Sequence, residues 1–383
     1  MKWDGSEYEA SLKRIVDFGL DNCIGSNDCM RVCPVNRLKV NQNELDSVLV
    51  SGVWTDRVKT FVTECVQCGD CTLACPAGVQ RDHMMLMLKA MLPSIPKQWR
   101  NYYMLKGRQD QDLIITLYDV VARLLAGPLG KYVDQAKLEQ KPLLFYFGCY
   151  VFSPSKAPGA TLQLADRLGL DYEVLAGVRS CCGWPQYLTG RMGYGQQMIS
   201  HLQELIEEAN PETVVTGCAE CYAALVRLKK KTGASWRPLT TPEWLLQHAD
   251  TLTWRKFDTP IAIHDSCHVT KKLGKPDPAR QLLARIADVV EIADDPNACV
   301  CCGYYNVHAN HELNEQLHHD KLEVVRERGA EGMAVECVTC WESFKEPFKK
   351  ADVPLWELMV AAELATRAEV AARPEHATRG GAL

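Results

Sequence analysis

The sequence has no basic surplus, no long apolar run and no nucleotide-cradling glycine motif. Its 383 residues carry a formal net charge of -5. That argues against nucleic-acid binding, where a basic excess is the electrostatic footprint. A membrane-spanning helix needs roughly 20 apolar residues in succession. The best candidate, residues 113–125, is interrupted by Asp119 and Arg123. The opening MKWDGSEYEASLKR lacks the apolar core of a secretion signal, so a cytoplasmic protein is expected, peripheral at the inner face of the membrane only through a partner. No G-x-G-x-x-G follows a strand-like run, so hydride chemistry on a flavin or nicotinamide is assigned to a partner.

What the chain has in surplus is cysteine: eighteen residues. A small secreted chain would use them as disulfides. Here most fall in C-x-x-C spacing, which suits metal or cluster ligation in a reducing compartment.

The organisation expected is α+β and multidomain: an N-terminal, helical, ferredoxin-like domain (1–100), a helical connector (101–140), two duplicated α/β lobes (141–255 and 256–360) and a tail (361–383). The Met-rich MMLMLKAML and the run LIITLYDVVARLL read as core-packing helices, with an amphipathic face for a membrane or partner as the other reading. Beyond Lys141, the apolar runs LLFYFGC, TVVTGC, IAIHDSC and MAVEC read as buried strands alternating with helices, the pattern of a parallel sheet. Each run ends at a cysteine or just before one, so functional groups emerge at carboxyl strand ends. Cys149, Cys182 and Cys218 recur as Cys267, Cys302 and Cys337, at offsets of 118, 120 and 119 residues. Such regularity implies an internal repeat.

The run Cys65-x2-Cys68-x2-Cys71-x3-Cys75-Pro76 is a ferredoxin signature. Three of its thiolates serve one cubane and the fourth serves the neighbouring cluster. The earlier run, Cys23-x2-Ser26-x2-Cys29-x3-Cys33-Pro34, has serine at the second ligand position. Applying the same exchange, Cys65, Cys68, Cys71 and Cys33 hold one [4Fe-4S] cubane. Cys23, Cys29 and Cys75 face Ser26 at a site for a [3Fe-4S] cluster or a serine-ligated [4Fe-4S] cluster, with Asp28 as another oxygen donor. The spacing of this run is similar to the three-iron run of fumarate reductase iron–sulfur subunits, and only cluster type is carried over.

The remaining motifs are Cys149-x31-Cys181-Cys182-Gly183-x34-Cys218-x2-Cys221 and Cys267-x33-Cys301-Cys302-Gly303-x33-Cys337-x2-Cys340. Each offers five cysteines, one more than a cubane needs. Either one is a spare or a thiolate bridges irons in an unusual cluster. Cys299 stands outside every motif and reads as a non-ligating thiol. Trp184 and Tyr304, each following a Cys-Cys-Gly, read as shields against water or as plain packing.

These residues resemble the cysteine-rich CCG domain of heterodisulfide reductase catalytic subunits, found also in iron–sulfur subunits of anaerobic glycerol-3-phosphate dehydrogenase, glycolate oxidase and lactate-utilisation systems. Two ferredoxin-like runs before two such domains look like the fused iron–sulfur subunit of the membrane-linked heterodisulfide reductase. The resemblance implies two noncubane [4Fe-4S] clusters, each on all five cysteines of its motif, that split or form a disulfide between them. His268, with His264 and Lys271, flanks Cys267 and could relay protons, or the histidines could simply be hydrogen-bonded in a strand-end loop. The expected partners are a flavoprotein or other redox subunit, a membrane quinone or cytochrome subunit and a thiol or disulfide substrate, in a hetero-oligomer. The alternative function is an iron–sulfur relay that delivers electrons from a flavin-linked dehydrogenase to quinone.

Overall fold

The structure is a computed structural model that describes residues 5–92, 123–124, 127–135, 137–307 and 309–367. The first part is helical: α1 (Gly5–Asn22), α2 (Asp28–Arg31), α3 (Gln42–Ser51), α4 (Asp56–Glu64), α5 (Asp70–Leu73) and α6 (Arg81–Met91). Two of these start on explicit stops. Asn41 and Glu44 form a reciprocal capping box at α3, and the Thr55 hydroxyl accepts from the Val58 N–H at α4, satisfying amides that the first turn leaves open. The Met-rich run is α6, with Met84, Met85, Leu86 and Leu88 buried. The second expected core helix, LIITLYDVVARLL, lies almost wholly outside the described residues, as does the end of the tail.

Two four-stranded sheets follow. The first comprises β1 (Leu143–Gly148), β2 (Tyr172–Ala176), β3 (Thr213–Thr216) and β4 (Arg237–Thr240), in spatial order β2-β1-β3-β4. The second comprises β5 (Pro260–His264), β6 (Asp288–Glu291), β7 (Gly332–Val335) and β8 (Leu355–Glu357), in order β6-β5-β7-β8. Every pairing is parallel. Parallel strands are covered on both faces and need continuous apolar sequence; all six residues of β1 are buried. The repeat seen in the cysteine spacing is thus a repeat of topology.

Helices cover the sheets. In the first lobe these are α7 (Ala157–Arg167), α8 (Trp184–Leu188), α9 (Met192–Ala209), α10 (Ala219–Thr232) and α11 (Thr241–Leu246). In the second they are α12 (Thr270–Leu273), α13 (Asp277–Ala284), α14 (His311–Glu327), α15 (Val338–Lys350) and α16 (Leu358–Ala365). In each sheet the strand order reverses beside the central strand, between β1 and β3 and between β5 and β7. Loops leaving such a reversal diverge and open a crevice at the carboxyl edge. Cys149 and Cys218 follow β1 and β3, and Cys267 and Cys337 follow β5 and β7. Among the described residues, no helix is long and apolar enough to cross a membrane.

Candidate cluster-binding sites

In the N-terminal part the two cysteine runs fold alike. Gly25 and Asn27 are left-handed, with φ of 72° and 60°, and the matching Gln67 and Gly69 have φ of 58° and 91°. Both loops enter a four-residue helix whose first residue is an aspartate, Asp28 or Asp70. Ser26 therefore occupies the backbone position of Cys68. The hydrogen bonds agree: the Cys68 thiol donates to Asp70 at 3.4 Å, and a hydrogen bond between the Ser26 hydroxyl and the Asp28 carboxylate helps lower the acid's pKa. Asp28 also pairs with Arg31.

The thiols group across the runs. Burial, then the neighbouring Cys65, pushes the Cys33 thiol up to about 12. Cys71 and Cys68 are raised by burial first, and both sense Cys33. Cys29 senses Cys75 and Cys23. Arg81 donates to Cys23 Sγ at 3.5 Å from a buried position anchored by Asp46. Thiols desolvated this far carry little thiolate unless a cation or metal stabilises it.

In the lobes the ten motif cysteines form one continuous series of thiol contacts. Cys149 meets Cys181 at 3.6 Å. Hydrogen bonds continue from Cys181 to Cys182, then to Cys221 and Cys218. Cys218 meets Cys337 across the lobe boundary. The series then returns in mirror order through Cys340, Cys302, Cys301 and Cys267. Eight of these ten are buried.

Local chemistry accounts for this placement. Cys218 and Cys337 stand at the N-cap positions of α10 and α15, with Cys221 and Cys340 in the first turns. The i, i+3 spacing puts each pair on one helix face, at the end whose amides favour a thiolate. The Ala219 N–H donates across the boundary to Cys337 Sγ at 3.4 Å. Hydrogen bonds from Cys218 and Cys340 hold Cys337 well below the usual thiol range. Those from Cys181 and Cys221, aided by Arg227, do the same for Cys182. The glycine of each Cys-Cys-Gly is a necessity. Gly183 and Gly303 have φ of 77° and 72°, and an added Cβ would fall 2.4 Å from the Gly195 carbonyl oxygen or 2.6 Å from Asn314 Oδ1.

Glu220, inside the first C-x-x-C, went unnoticed in the sequence. It sits at the junction, where Cys218, Glu220 and Cys337 offer ligand atoms within 4.8 Å of one another. The Cys218 thiol donates to its Oε2 at 3.0 Å, Thr339 donates to the same oxygen at 3.2 Å, and Tyr305 donates to Oε1 at 2.9 Å. Burial, then Cys337, raises its carboxyl to about 8. The only signal was positional: Glu220 and Thr339 fill the same slot of the two C-x-x-C motifs.

Lys271 pairs with Asp70, and Lys272 meets Asp82 at 3.0 Å, tying the ferredoxin-like part to the second lobe. His264 lies 3.4 Å from Cys299 Sγ, which also accepts from Lys321 at 3.4 Å. That places Cys299 in a buried polar cluster of its own. His268 is buried edge-on against Trp184, with ring centroids 4.9 Å apart. Neither of its nitrogens has a hydrogen-bond partner among the described residues. Burial, with Lys272 and Arg227 nearby, keeps it neutral. Trp184 and Tyr304 both line a cavity of about 230 Å³ between the lobes.

Parallel-sheet lobes with cysteines on every crevice loop, preceded by two ferredoxin-like runs, define an iron–sulfur protein of modular build. The comparisons with known proteins agree. The cysteine-rich CCG domain matches residues 143–226 and 261–345, and the 4Fe-4S dicluster domain matches residues 22–79. The chain carries two CCG domains behind a 4Fe-4S dicluster domain, and it is an iron–sulfur electron-transfer protein related to oxidoreductase subunits. It is 23% identical to a dihydromethanophenazine:CoB–CoM heterodisulfide reductase subunit of Methanosarcina barkeri, over 74% of this chain and 78% of that one. It is 24% identical to a fumarate reductase (CoM/CoB) subunit of Methanothermobacter marburgensis, over 58% of this chain but only 46% of the relative. It is 27% identical to lactate utilization protein A of Bacillus cereus, over 45% of this chain and 76% of the relative. A hypothetical protein from Helicobacter pylori has a similar crystal structure, with a TM-score of 0.50 and 9% identity over 94% of this chain and 73% of that one. That likeness concerns fold alone.

Proposed function

We propose that the chain is the iron–sulfur subunit of a disulfide-converting oxidoreductase complex, with its electrons exchanged through a partner redox subunit. The single observation that carries this reading is the continuous series of ten thiols across the lobe boundary. Cys33, Cys65, Cys68 and Cys71 would hold a cubane. Cys23, Cys29 and Cys75, with Ser26, would hold a three-iron or oxygen-ligated cluster. Each set of five CCG cysteines would hold a noncubane cluster. When bound, such clusters supply electrons singly, and reducing a disulfide to two thiols takes two electrons and two protons.

The protein's own groups support that chemistry. Arg227, Lys271 and Lys272 set positive charge beside thiols that must ionise to bind iron. Buried Phe147, Tyr146 and Phe344 exclude water from the sheet edges. Glu220, raised to about 8, keeps a proton at neutral pH on a carboxyl that touches both lobes. A second reading, the iron–sulfur relay of a flavin-linked complex ending at quinone, draws support from relatives named for fumarate reductase and lactate utilization.

Anaerobic iron analysis with EPR tests the assignment. The expected content is about sixteen irons per chain, or one fewer with a three-iron cluster. An iron count near half that, with cubane signals alone, would falsify it. A new paramagnetic signal on adding a thiol to oxidised protein separates the first reading from the second. Rapid reduction by a flavoprotein and reoxidation by a quinone, without such a signal, would favour the relay.

A further inference from the structure

The two ferredoxin-like runs correspond residue for residue: Ile24 stands where Val66 does, Ser26 where Cys68 does and Asp28 where Asp70 does. Their loops share a backbone conformation but not an environment. Val66 is 1% exposed, and Gln67, Cys68 and Gly69 are buried beside it. Ile24 is 70% exposed, and Gly25 is open to solvent with it. Part of the cover on the Cys65 loop is α12 of the second lobe. The Lys272 stem packs over Gly69, with its Cε 3.5 Å from where a Cβ would stand. Lys271 pairs with Asp70, and Asn310 donates to Glu64 Oε1 at 2.8 Å just before Cys65. Cys68 lies close enough to Cys301 for their charges to interact. This loop is a docking surface already in use.

The Ser26 loop presents the same features to solvent. Among the described residues, Asp28 is met only from within its own run, by Arg31 and Ser26. Phe18, near the end of α1, and Val32, beside Cys33, are exposed as well. Exposed carboxylates add to that of Asp28: Asp17 and Asp21 stand on the last turns of α1, and Arg31 is the one cation of the run. Single exposed apolar side chains need no explanation. Here the twin of the most exposed one is buried in an interface, which shows what such a loop can receive.

We propose that the face formed by Phe18, Ile24, Asp28 and Val32 is the electron port of the chain, and that it docks a redox partner presenting lysine or arginine within an apolar patch, as α12 does to the Cys65 loop. The proposal rests on the partner redox subunit of the reading above, not on its disulfide chemistry. Charge complementarity argues for a basic partner, because a carboxylate-bearing face steers cations toward it and repels anions. A second copy of this chain does not fit, since its α12 lysines are already engaged on its own Cys65 loop. One electron crosses in each encounter, and neither an atom nor a proton goes with it.

Stopped-flow reduction of ferricytochrome c by the anaerobic holoprotein tests this, after reduction with dithionite and removal of the excess. Cytochrome c serves as the probe because lysines surround its apolar haem edge. The holoprotein loses one electron as each ferric haem becomes ferrous. The second-order rate is expected to fall about fivefold or more in Ile24→Lys and, independently, in Val32→Lys. Tyr194→Lys, exposed on α9 of the first lobe, adds the same charge and should change the rate less than about twofold. Raising salt to about 0.3 M should slow the unaltered protein and narrow these differences. Rates in Ile24→Lys and Val32→Lys equal to that of the unaltered protein, equal slowing by Tyr194→Lys, or a rate indifferent to salt overturns the proposal. Iron is measured in every variant; one that loses it is set aside, and the other variant and the salt series decide. Iron near half of the expected content in the unaltered protein would instead refute the noncubane reading, and the rates would still decide the port.

Discussion

Ser26 shows how much one atom changes at a geometry the chain otherwise repeats. Its loop copies the left-handed turns of the Cys65–Cys71 loop, and Arg81 stands beside Cys23 and Cys29 as it would beside a charged cluster. A hydroxyl in the place of a thiolate is a poor iron ligand. Ser26→Cys is therefore expected to add about one iron per chain and to replace a three-iron signal with that of a four-iron cluster. Iron analysis and EPR of the two proteins side by side check it. An unchanged iron content would mean that the natural site already holds four irons with oxygen at one corner. The spacing alone disclosed this position. It could not disclose Glu220, because its importance arises from a lobe boundary that joins residues distant in the chain.

At the scale of elements, the legible parts were those with local causes. β1 is six buried residues in a row and could be read directly; β6, Asp-Val-Val-Glu, is an edge strand with both ends exposed and carries no such run. The cysteine loops followed from spacing, whereas the docking of the ferredoxin-like part on α12 depends on partners far apart in sequence, 201 positions in the case of Lys271 and Asp70. Lys271 is the clearest of these. Its side chain is only 1% exposed and pairs with Asp70. Burial works against its charge, and Asp70 and Cys68 more than restore it. Removing one partner from such a pair strands a buried charge, at about 3–5 kcal/mol. Asp70→Asn should accordingly lower the first calorimetric transition of the anaerobic protein and separate it from unfolding of the lobes. Asp70→Asn combined with Lys271→Met should recover most of the loss. Equal destabilisation by the single and double variants would show that the ion pair is not what holds the two parts together.

Across the whole molecule, the lobes are joined by buried polar contacts as well as by thiols. Glu357, at the end of β8, accepts from the Ser155 hydroxyl and, at 2.9 Å, from the Lys156 N–H of the first lobe. Burial, only partly offset by those donors, raises its carboxyl from 4.5 to about 6. The sign follows from linkage. Between these two values the folded protein binds more protons than the unfolded chain, so stability falls as pH rises through the window and levels off above pH 6. The difference corresponds to about 2 kcal/mol at neutral pH. Glu357→Gln keeps an acceptor for Ser155 and Lys156 while removing the charge. Its melting temperature at pH 7.5 should therefore exceed that of the unaltered protein, and the gap should narrow as pH falls toward 5.5. Anaerobic calorimetry at several pH values measures both. A gap independent of pH would place the effect in packing rather than ionisation, and a lower melting temperature would show that the ionised carboxylate is the form that joins the lobes.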